Sequence, residues 1–153
     1  MDVNLRLLPE AVASDRLETR EQVLERVAEL FADVHGLDRD ATLERLEERE
    51  KLGSTGFGRG VAIPHCRSTE VKRPTVVLLR LENPVDFAAA DAMPVSLVFG
   101  LVSPENAGAT HLHALATISR VMRDDAILEA LQDAPDEEAL FAVLTNRFVR
   151  DAA

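Results

Sequence analysis

The chain has 153 residues, of which 46% are hydrophobic and 29% are charged, and this composition is typical of one folded domain. A chain of this length buries roughly 70% of its unfolded surface, so its core needs no disulfide, and the single cysteine cannot form an internal one. The net charge of −10 and the absence of Trp and Tyr disfavour binding to nucleic acid. We therefore expect a single domain over residues 1–153.

The N-terminus and the cysteine usage bear on the compartment. The first residues lack the basic stretch and apolar run of a secretory signal, and no apolar stretch approaches the ~18 residues that a membrane span needs. No cluster of cysteine and histidine has the spacing of a structural zinc site. We expect a cytoplasmic protein with no direct membrane insertion.

The first predicted elements are two helices. Apolar residues recur at helical spacing over 19–35, preceded by a capping-box pattern of Thr19 and Gln22 and followed by Gly36 as a stop. A second helix is predicted from about residue 39 to residue 51. The charged residues of this second helix are expected to form its solvated face.

The middle of the chain changes from helical patterns to loops and strands. Residues 53–60 contain four glycines, which predicts a loop rather than a helix or strand. Pro64 is expected to end the short strand after it, and Asn83 and Pro84 to form a turn. The strands are predicted at three apolar runs, 61–63, 75–81 and 94–102.

The last third returns to helices. They are predicted at about 110–122, 124–132 and 135–146, with Thr110 as a possible cap of the first. The acidic residues that begin the final helix match the positive end of its dipole. This order of elements predicts an α/β fold: a three-layer domain with a small mixed β-sheet flanked by helices.

His65 is the most informative residue, because it lies where the glycine-rich loop and the short strand meet. Six basic residues and two acidic ones occupy 49–73, so a basic island surrounds it in an acidic chain. Backbone N–H groups of a glycine-rich loop can converge on an anion, and Arg49 would add contacts to phosphate oxygens. Neutral imidazole is a nucleophile, so the pattern suits phosphoryl relay. A structural histidine beside a plain turn is the alternative.

The other residues that could carry chemistry are weaker candidates for a functional site. The loop matches neither common nucleotide fingerprint. His111 and His113 lie about 200° apart on a helix, so only one can share a site with His65, and metal binding is disfavoured. Cys66 is expected to be passive, since adjacent residues of an extended chain point to opposite faces. His35 is predicted to be a cationic cap at a helix end, without a function.

At this point the sequence resembles a family, the enzyme IIA domains of the mannitol, fructose and nitrogen class of the bacterial phosphotransferase system. The resemblance is carried by the run Arg49-Glu-Lys-Leu-Gly-Ser-Thr-Gly-Phe-Gly-Arg-Gly-Val-Ala-Ile-Pro-His65. Two later stretches are similar to the C-terminal half of the same family: Thr110-His-Leu-His-Ala-Leu115 and Asp136-Glu-Glu-Ala-Leu140. The family resemblance covers nearly the whole chain and implies a mannitol-type IIA fold.

The resemblance also implies the site and the partners. His65 would be phosphorylated by an HPr-like phosphocarrier protein, beside His111 as the second histidine and Arg49 as the arginine of the site, with no metal and no cofactor. His113 is the alternative second histidine, and Cys66 stands where the family more often has Gly. We expect the phosphate to contact loop residues Ser54, Thr55, Gly56, Gly58 and Gly60.

The downstream role is left with alternatives. The chain looks most like the freestanding nitrogen-type branch, a relay component rather than a stand-alone turnover enzyme, whose phosphorylation state regulates target proteins by direct binding. A fructose- or mannitol-type sugar-transport IIA that passes phosphate to a IIB domain is the second interpretation. A non-catalytic binding adaptor on the same fold is the third. A weak homodimer is compatible with each of them.

Overall fold

The computed structural model describes residues 5–152, with side chains for 5–145. After a 3₁₀ turn at Pro9–Ala11, that part of the chain forms five α-helices and six β-strands. The helices are α1 Arg20–His35, α2 Arg39–Leu52, α3 Gly108–Met122, α4 Asp125–Asp133 and α5 Glu137–Ala152. The strands are β1 Val12–Asp15, β2 Gly56–Gly58, β3 Val61–Ala62, β4 His65–Ser68, β5 Thr75–Val85 and β6 Val95–Pro104.

The six strands form one mixed sheet with the order β1-β5-β6-β3-β2, and β4 also pairs with β6. The long strands β5 and β6 are antiparallel, whereas β3 and β4 both run parallel to β6. The edge strand β1 is parallel to β5, and β2 is antiparallel to β3. The predicted small mixed sheet is confirmed.

Helices cover both faces of the sheet, which confirms the predicted three layers. Along β5, Val77 and Leu79 belong to the core that packs against α1 and α2. Val76 and Leu78, on the opposite face, belong to the core beneath α3, α4 and α5. This alternation follows from the two-residue period of a strand, and burial on both faces explains why β5 and β6 read as continuous apolar runs.

Local sequence signals place α1 closely against the sheet. Thr19 accepts a hydrogen bond from the Gln22 backbone, the Gln22 side chain caps in return, and Gly36 ends the helix with a positive φ of 72°. A Cβ atom added at Gly100 of β6 would lie 2.7 Å from Val27 of α1. Only a glycine allows this approach of helix and strand.

Several predicted boundaries need correction. Asn83 and Pro84 lie within β5 rather than in a turn, because a register shift against β6 absorbs them. The predicted loop contains the short strand β2, which forms because Gly56 pairs with Ala62 of β3. Thr110 is not a cap, since α3 begins two residues earlier, at Gly108. The short strands β1 and β4 were not predicted.

The predicted helices over 19–35 and 39–51 are confirmed to within a residue or two of their observed ends. The three C-terminal helices are also present where the apolar periodicity places them. Within the described residues, none of these helices combines the length and the apolar character that crossing a bilayer requires.

Candidate functional site

A cavity of about 810 Å³ brings together three residues from distant parts of the sequence: Arg49, His65 and His111. Arg49 lies in the last turn of α2, His65 is the first residue of β4, and His111 lies in the first turn of α3. Pro64 lies between β3 and β4, and its carbonyl accepts a hydrogen bond from the Leu101 backbone N–H at 3.0 Å. His65 therefore lies at the start of the second of two successive parallel pairings with β6.

Both ring nitrogens of His65 have partners. Nδ1 lies 2.7 Å from the carbonyl oxygen of Ile63, and Nε2 lies 3.2 Å from the Nε atom of Arg49. A carbonyl oxygen can only accept and a guanidinium can only donate, so Nδ1 carries the proton and Nε2 keeps its lone pair. The arrangement therefore assigns His65 as a neutral imidazole with Nε2 as the nucleophilic atom.

The electrostatics of the cavity favour the same protonation state. Burial lowers the pKa of His65 below its usual 6.5, the hydrogen bond to the Ile63 carbonyl raises it, and the charge of Arg49 lowers it again. The net direction is downward, which keeps the ring neutral at pH 7. A neutral ring is the form that can attack phosphorus.

His111 is buried beside His65, with 5.5 Å between the ring centroids. Its Nδ1 atom lies 2.7 Å from the hydroxyl of Ser103, at the end of β6. Burial, followed by the charges of His65 and Arg67, lowers the pKa of His111 to about 4. His113 is exposed and is not among the described residues that line the cavity. The structure therefore brings together His65 and His111, not His65 and His113.

The cavity wall is basic. Arg49 also donates from Nη1 to the Gly53 carbonyl at 2.8 Å, which holds its guanidinium between the end of α2 and His65. Within residues 5–145, none of the four cations of the wall is paired with a carboxylate, and the wall contains two carboxylates. The wall cations are Arg45, Arg49, Lys51 and Arg67. An excess of two positive charges in a concave site attracts anions.

The glycine-rich loop lies behind this cavity instead of lining it. The buried Glu50 carboxylate accepts from the Thr55 backbone N–H at 2.7 Å and from its hydroxyl at 2.6 Å. The Gly56 N–H donates to the Ser54 hydroxyl, which itself donates to the Phe87 carbonyl. Two of the predicted phosphate-binding amides thus already have acceptors. The described lining includes none of the five predicted loop residues, Ser54, Thr55, Gly56, Gly58 and Gly60.

The loop is nevertheless connected to His65 by a continuous set of hydrogen bonds. Glu50 holds Thr55, the Thr55 carbonyl accepts from the Ile63 N–H at 2.9 Å, and the Ile63 carbonyl faces His65 Nδ1. Glu50 and Ser103 are therefore supporting residues that the sequence analysis missed. The position of Glu50 directly after Arg49 was the available signal, but nothing in the sequence shows that its carboxylate is buried.

The remaining sequence candidates have other environments. Cys66 is buried and touches the cavity wall, and burial raises the pKa of its thiol to about 12, so the passive reading fits. His35 lies elsewhere, in the last turn of α1 as predicted, and burial lowers its pKa, which disfavours the charged form that a cationic cap needs. Among the side chains that the structure describes, no group of three or more His, Cys, Asp or Glu could hold a metal ion.

Comparisons with known proteins identify relatives of this chain. The family model for the phosphoenolpyruvate-dependent sugar phosphotransferase system, EIIA 2, matches residues 8–147. The nitrogen regulatory protein of Bradyrhizobium diazoefficiens is 41% identical over 137 residues, which cover 89% of this chain and 90% of the relative. The crystal structure of nitrogen regulatory protein IIA-Ntr from Neisseria meningitidis matches with a TM-score of 0.83 and 35% identity, over 92% of this chain and 95% of that one.

A more distant neighbour is enzyme IIA for mannitol from Escherichia coli, solved in complex with phosphorylated enzyme IIB. It matches with a TM-score of 0.77 over 94% of this chain and 99% of that one. Its identity to this chain is 19%, so the likeness shows the shared fold alone.

Proposed function

Since the chain belongs to the EIIA 2 family of the phosphoenolpyruvate-dependent sugar phosphotransferase system, we propose that His65 accepts a phosphoryl group on Nε2 and passes it on. The observation that carries this proposal is the pair of hydrogen bonds on the His65 ring. The Ile63 carbonyl holds the proton on Nδ1, while Arg49 faces the lone pair on Nε2. The ring is thereby prepared as a nucleophile without a separate base.

The transfer is an in-line displacement between two imidazoles. The lone pair of His65 Nε2 forms the new bond to phosphorus as the donor's nitrogen–phosphorus bond breaks, and that electron pair returns to the donor ring. Arg49 gives up its hydrogen bond to Nε2 and turns to the phosphoryl oxygens, while the positive charge left on the His65 ring faces the Ile63 carbonyl. His111, buried 5.5 Å away by ring centroids, is placed to hydrogen-bond a phosphoryl oxygen.

An HPr-like phosphocarrier protein is the proposed donor. Two large apolar side chains near these residues are strongly exposed: Leu52, which lines the cavity, at 84%, and Leu112, which follows His111 along α3, at 63%. Exposed apolar residues around a reactive side chain are typical of a docking surface for another protein. The cations of the wall would orient a partner that carries a phosphoryl group. We place this exchange in the cytosol, in keeping with the single reduced cysteine.

The output of phosphorylation is proposed to be regulatory. A phosphoryl group adds about −1.5 to −2 charges at neutral pH, which is enough to cancel the positive excess of the cavity wall. Target proteins would then bind one state in preference to the other. Relatives that carry the description nitrogen regulatory protein favour this role. Transfer to a IIB domain is the second candidate, suggested by the complex known for the mannitol IIA of the same fold.

The decisive experiment is phosphorylation by phosphoenolpyruvate, enzyme I and the phosphocarrier, followed by intact-mass measurement. We expect one acid-labile phosphoryl group on the native chain and none on His65→Ala. The matched control is His113→Ala, since this histidine is exposed and outside the cavity, and it should label fully. Full labelling of His65→Ala would disprove the assignment, and so would an unlabelled native chain in the presence of charged carrier.

The regulatory role needs a second measurement. Affinity capture from a lysate of the source organism should retain different proteins on the phosphorylated and unphosphorylated chains. Identical captured proteins, together with rapid loss of the phosphoryl group to a IIB domain, would favour the sugar-transport role instead.

A further inference from the structure

A second cavity, of about 430 Å³, lies where the N-terminal segment, the end of α1 and the turn between β4 and β5 meet. Its wall includes Arg6, Lys72 and Arg73, together with the ring of His35 and the carboxylate of Glu70. It shares no lining residue with the cavity around His65 within the described part of the chain. The role proposed for His65 therefore leaves this cavity unexplained.

The charge of the second cavity is opposite to that of the whole protein. Its wall combines three cations with one carboxylate, in a chain whose net charge is −10. Across residues 5–145, no carboxylate forms an ion pair with Arg6, Lys72 or Arg73. Glu70 instead accepts a hydrogen bond from the Asp38 backbone N–H at 3.1 Å. Three like charges around one concavity repel one another, so a bound anion would stabilise the arrangement.

The backbone holds two of these cations in place. Arg6 forms a parallel bridge with Thr75: its N–H donates to the Pro74 carbonyl and its carbonyl accepts from the Val76 N–H, both at 3.0 Å. The Thr75 hydroxyl donates to the Arg73 carbonyl at 3.0 Å. The backbone of Arg6 and the backbone of Arg73 are thus both hydrogen-bonded at the start of β5. Such preorganisation lowers the entropy cost of binding a ligand between them.

His35 gives this wall a neutral, aromatic part. Its Nε2 atom is buried without a hydrogen-bond partner in the described structure. Burial is the largest cause of its lowered pKa, and the charge of Arg6 lowers the pKa further, whereas a hydrogen bond with the Val76 backbone and the charge of Glu10 raise it. An anion that neutralises Arg6 would oppose this second effect. His35 is therefore a built-in reporter of the charge in the cavity.

We propose that this second cavity binds a small anion that carries a phosphoryl group, either inorganic phosphate or a phosphomonoester. Two guanidinium groups present planar, forked donors that match phosphate oxygens, and Lys72 adds a third positive charge. The volume lies within the range of small-molecule sites. An acidic protein surface would bind to a flat basic patch more readily than to the concave wall of this cavity. The site is independent of phosphoryl transfer at His65.

The test is a titration of the full chain, followed through the imidazole resonances in ¹H–¹³C NMR spectra. With four histidines in the chain, His35, His65 and His111 report on the two cavities separately. Inorganic phosphate and glycerol 3-phosphate are added in separate series, each matched in ionic strength by sodium chloride. We expect a saturable shift of the His35 resonance and an upward shift of its titration midpoint. The stronger response of the two series identifies the source of the phosphoryl group.

Variants then assign the response to the cavity wall. Arg6→Ala and Arg73→Ala should each weaken the saturable His35 response by roughly tenfold, since each removes a charge-assisted contact. Arg120→Ala, an exposed change on α3, is the control and should leave it unaltered. A His35 shift that sodium chloride reproduces would overturn the proposal. A response to an oligoglutamate peptide but to neither phosphate compound would overturn it in favour of protein docking.

Discussion

The two cavities contain similar residues, but their histidines differ in hydrogen bonding. Each combines a histidine whose pKa is lowered by burial with a set of unpaired cations. His65, however, has a hydrogen-bond partner on both ring nitrogens, whereas the Nε2 atom of His35 is buried without one. We infer from this difference that positive charge near a histidine does not suffice to make it a nucleophile. The hydrogen bonds that fix its tautomer and direct its lone pair make the distinction.

Removing Arg49 should have the largest effect on the difference between the two cavities, because it takes away the group that faces His65 Nε2. We expect Arg49→Ala to slow phosphorylation of His65 by about 10²–10³-fold, the usual effect of deleting one donor to a transition-state charge. The rate is measured by rapid quench with charged phosphocarrier. Arg120→Ala, on the surface of α3, is the matched control. An unchanged rate in Arg49→Ala would mean that the wall cations are interchangeable.

Acid should reveal the cost of burying His111 in the first cavity. The folded pKa of His111 is about 4, below its ordinary 6.5, so folding disfavours its protonated form. Its contribution to stability is present above pH 6.5 and is lost as the pH falls towards 4, by at most about 3 kcal/mol. Urea unfolding between pH 7 and pH 4 measures this loss. The slope should flatten in His111→Gln and remain in His113→Gln.

Glu50→Gln sharpens the comparison by disturbing the orientation of His65 without touching its ring. Glutamine keeps the shape but accepts less strongly from Thr55, so the hydrogen bonds that run through Ile63 to Nδ1 should loosen. We expect phosphorylation to slow by about tenfold, in line with a weakened charge-assisted hydrogen bond. ¹⁵N NMR should show a mixture of His65 tautomers. Glu44→Gln, an exposed change on α2, should retain a single tautomer and the native rate.

Cys66 should give the smallest effect. Because burial raises the pKa of its thiol to about 12, the native chain should resist alkylation by iodoacetamide at pH 8 until it is unfolded. Cys66→Ala should change the phosphorylation rate by less than about twofold, since the thiol has no part in the transfer. Rapid alkylation of the folded chain, with loss of phosphorylation, would show instead that the thiol is exposed to the cavity.

The sequence predicts the helices and the residues of the candidate site far better than the short strands. Apolar periodicity and a capping box define α1, and the residues around His65 single out this histidine as the candidate for phosphorylation. The strands β2 and β4 contain three and four residues, and they form by pairing with β3 and β6, which no local pattern in the sequence encodes. Nothing in the sequence around Pro64 predicts that β6, after pairing with β3, also pairs with the four residues of β4.

The residues that support the site could not be predicted, for a related reason. Glu50 looks like one more charged residue on an acidic helix, and its burial follows only from the way α2 ends against the loop. The prediction that the glycine-rich amides bind phosphate did not consider the internal acceptors that the Thr55 and Gly56 N–H groups have in the structure. Polar residues close in sequence to a site can therefore serve either the ligand or the scaffold, and tertiary packing decides between these roles.

The pairing of β6 has a consequence for amide hydrogen exchange. β5 covers one edge of this strand, while β3 and β4 cover the other edge in turn, with the Pro64 carbonyl bridging the gap between them. The amides of β6 should therefore exchange only when the whole molecule unfolds, whereas those of the short β2 and β3 should exchange through local opening. The short strand β4, which begins at His65, pairs with β6 and should likewise open locally against a partner strand that stays closed. In the proposed relay, the slowly exchanging β6 would hold His65 in register through each encounter with a protein partner.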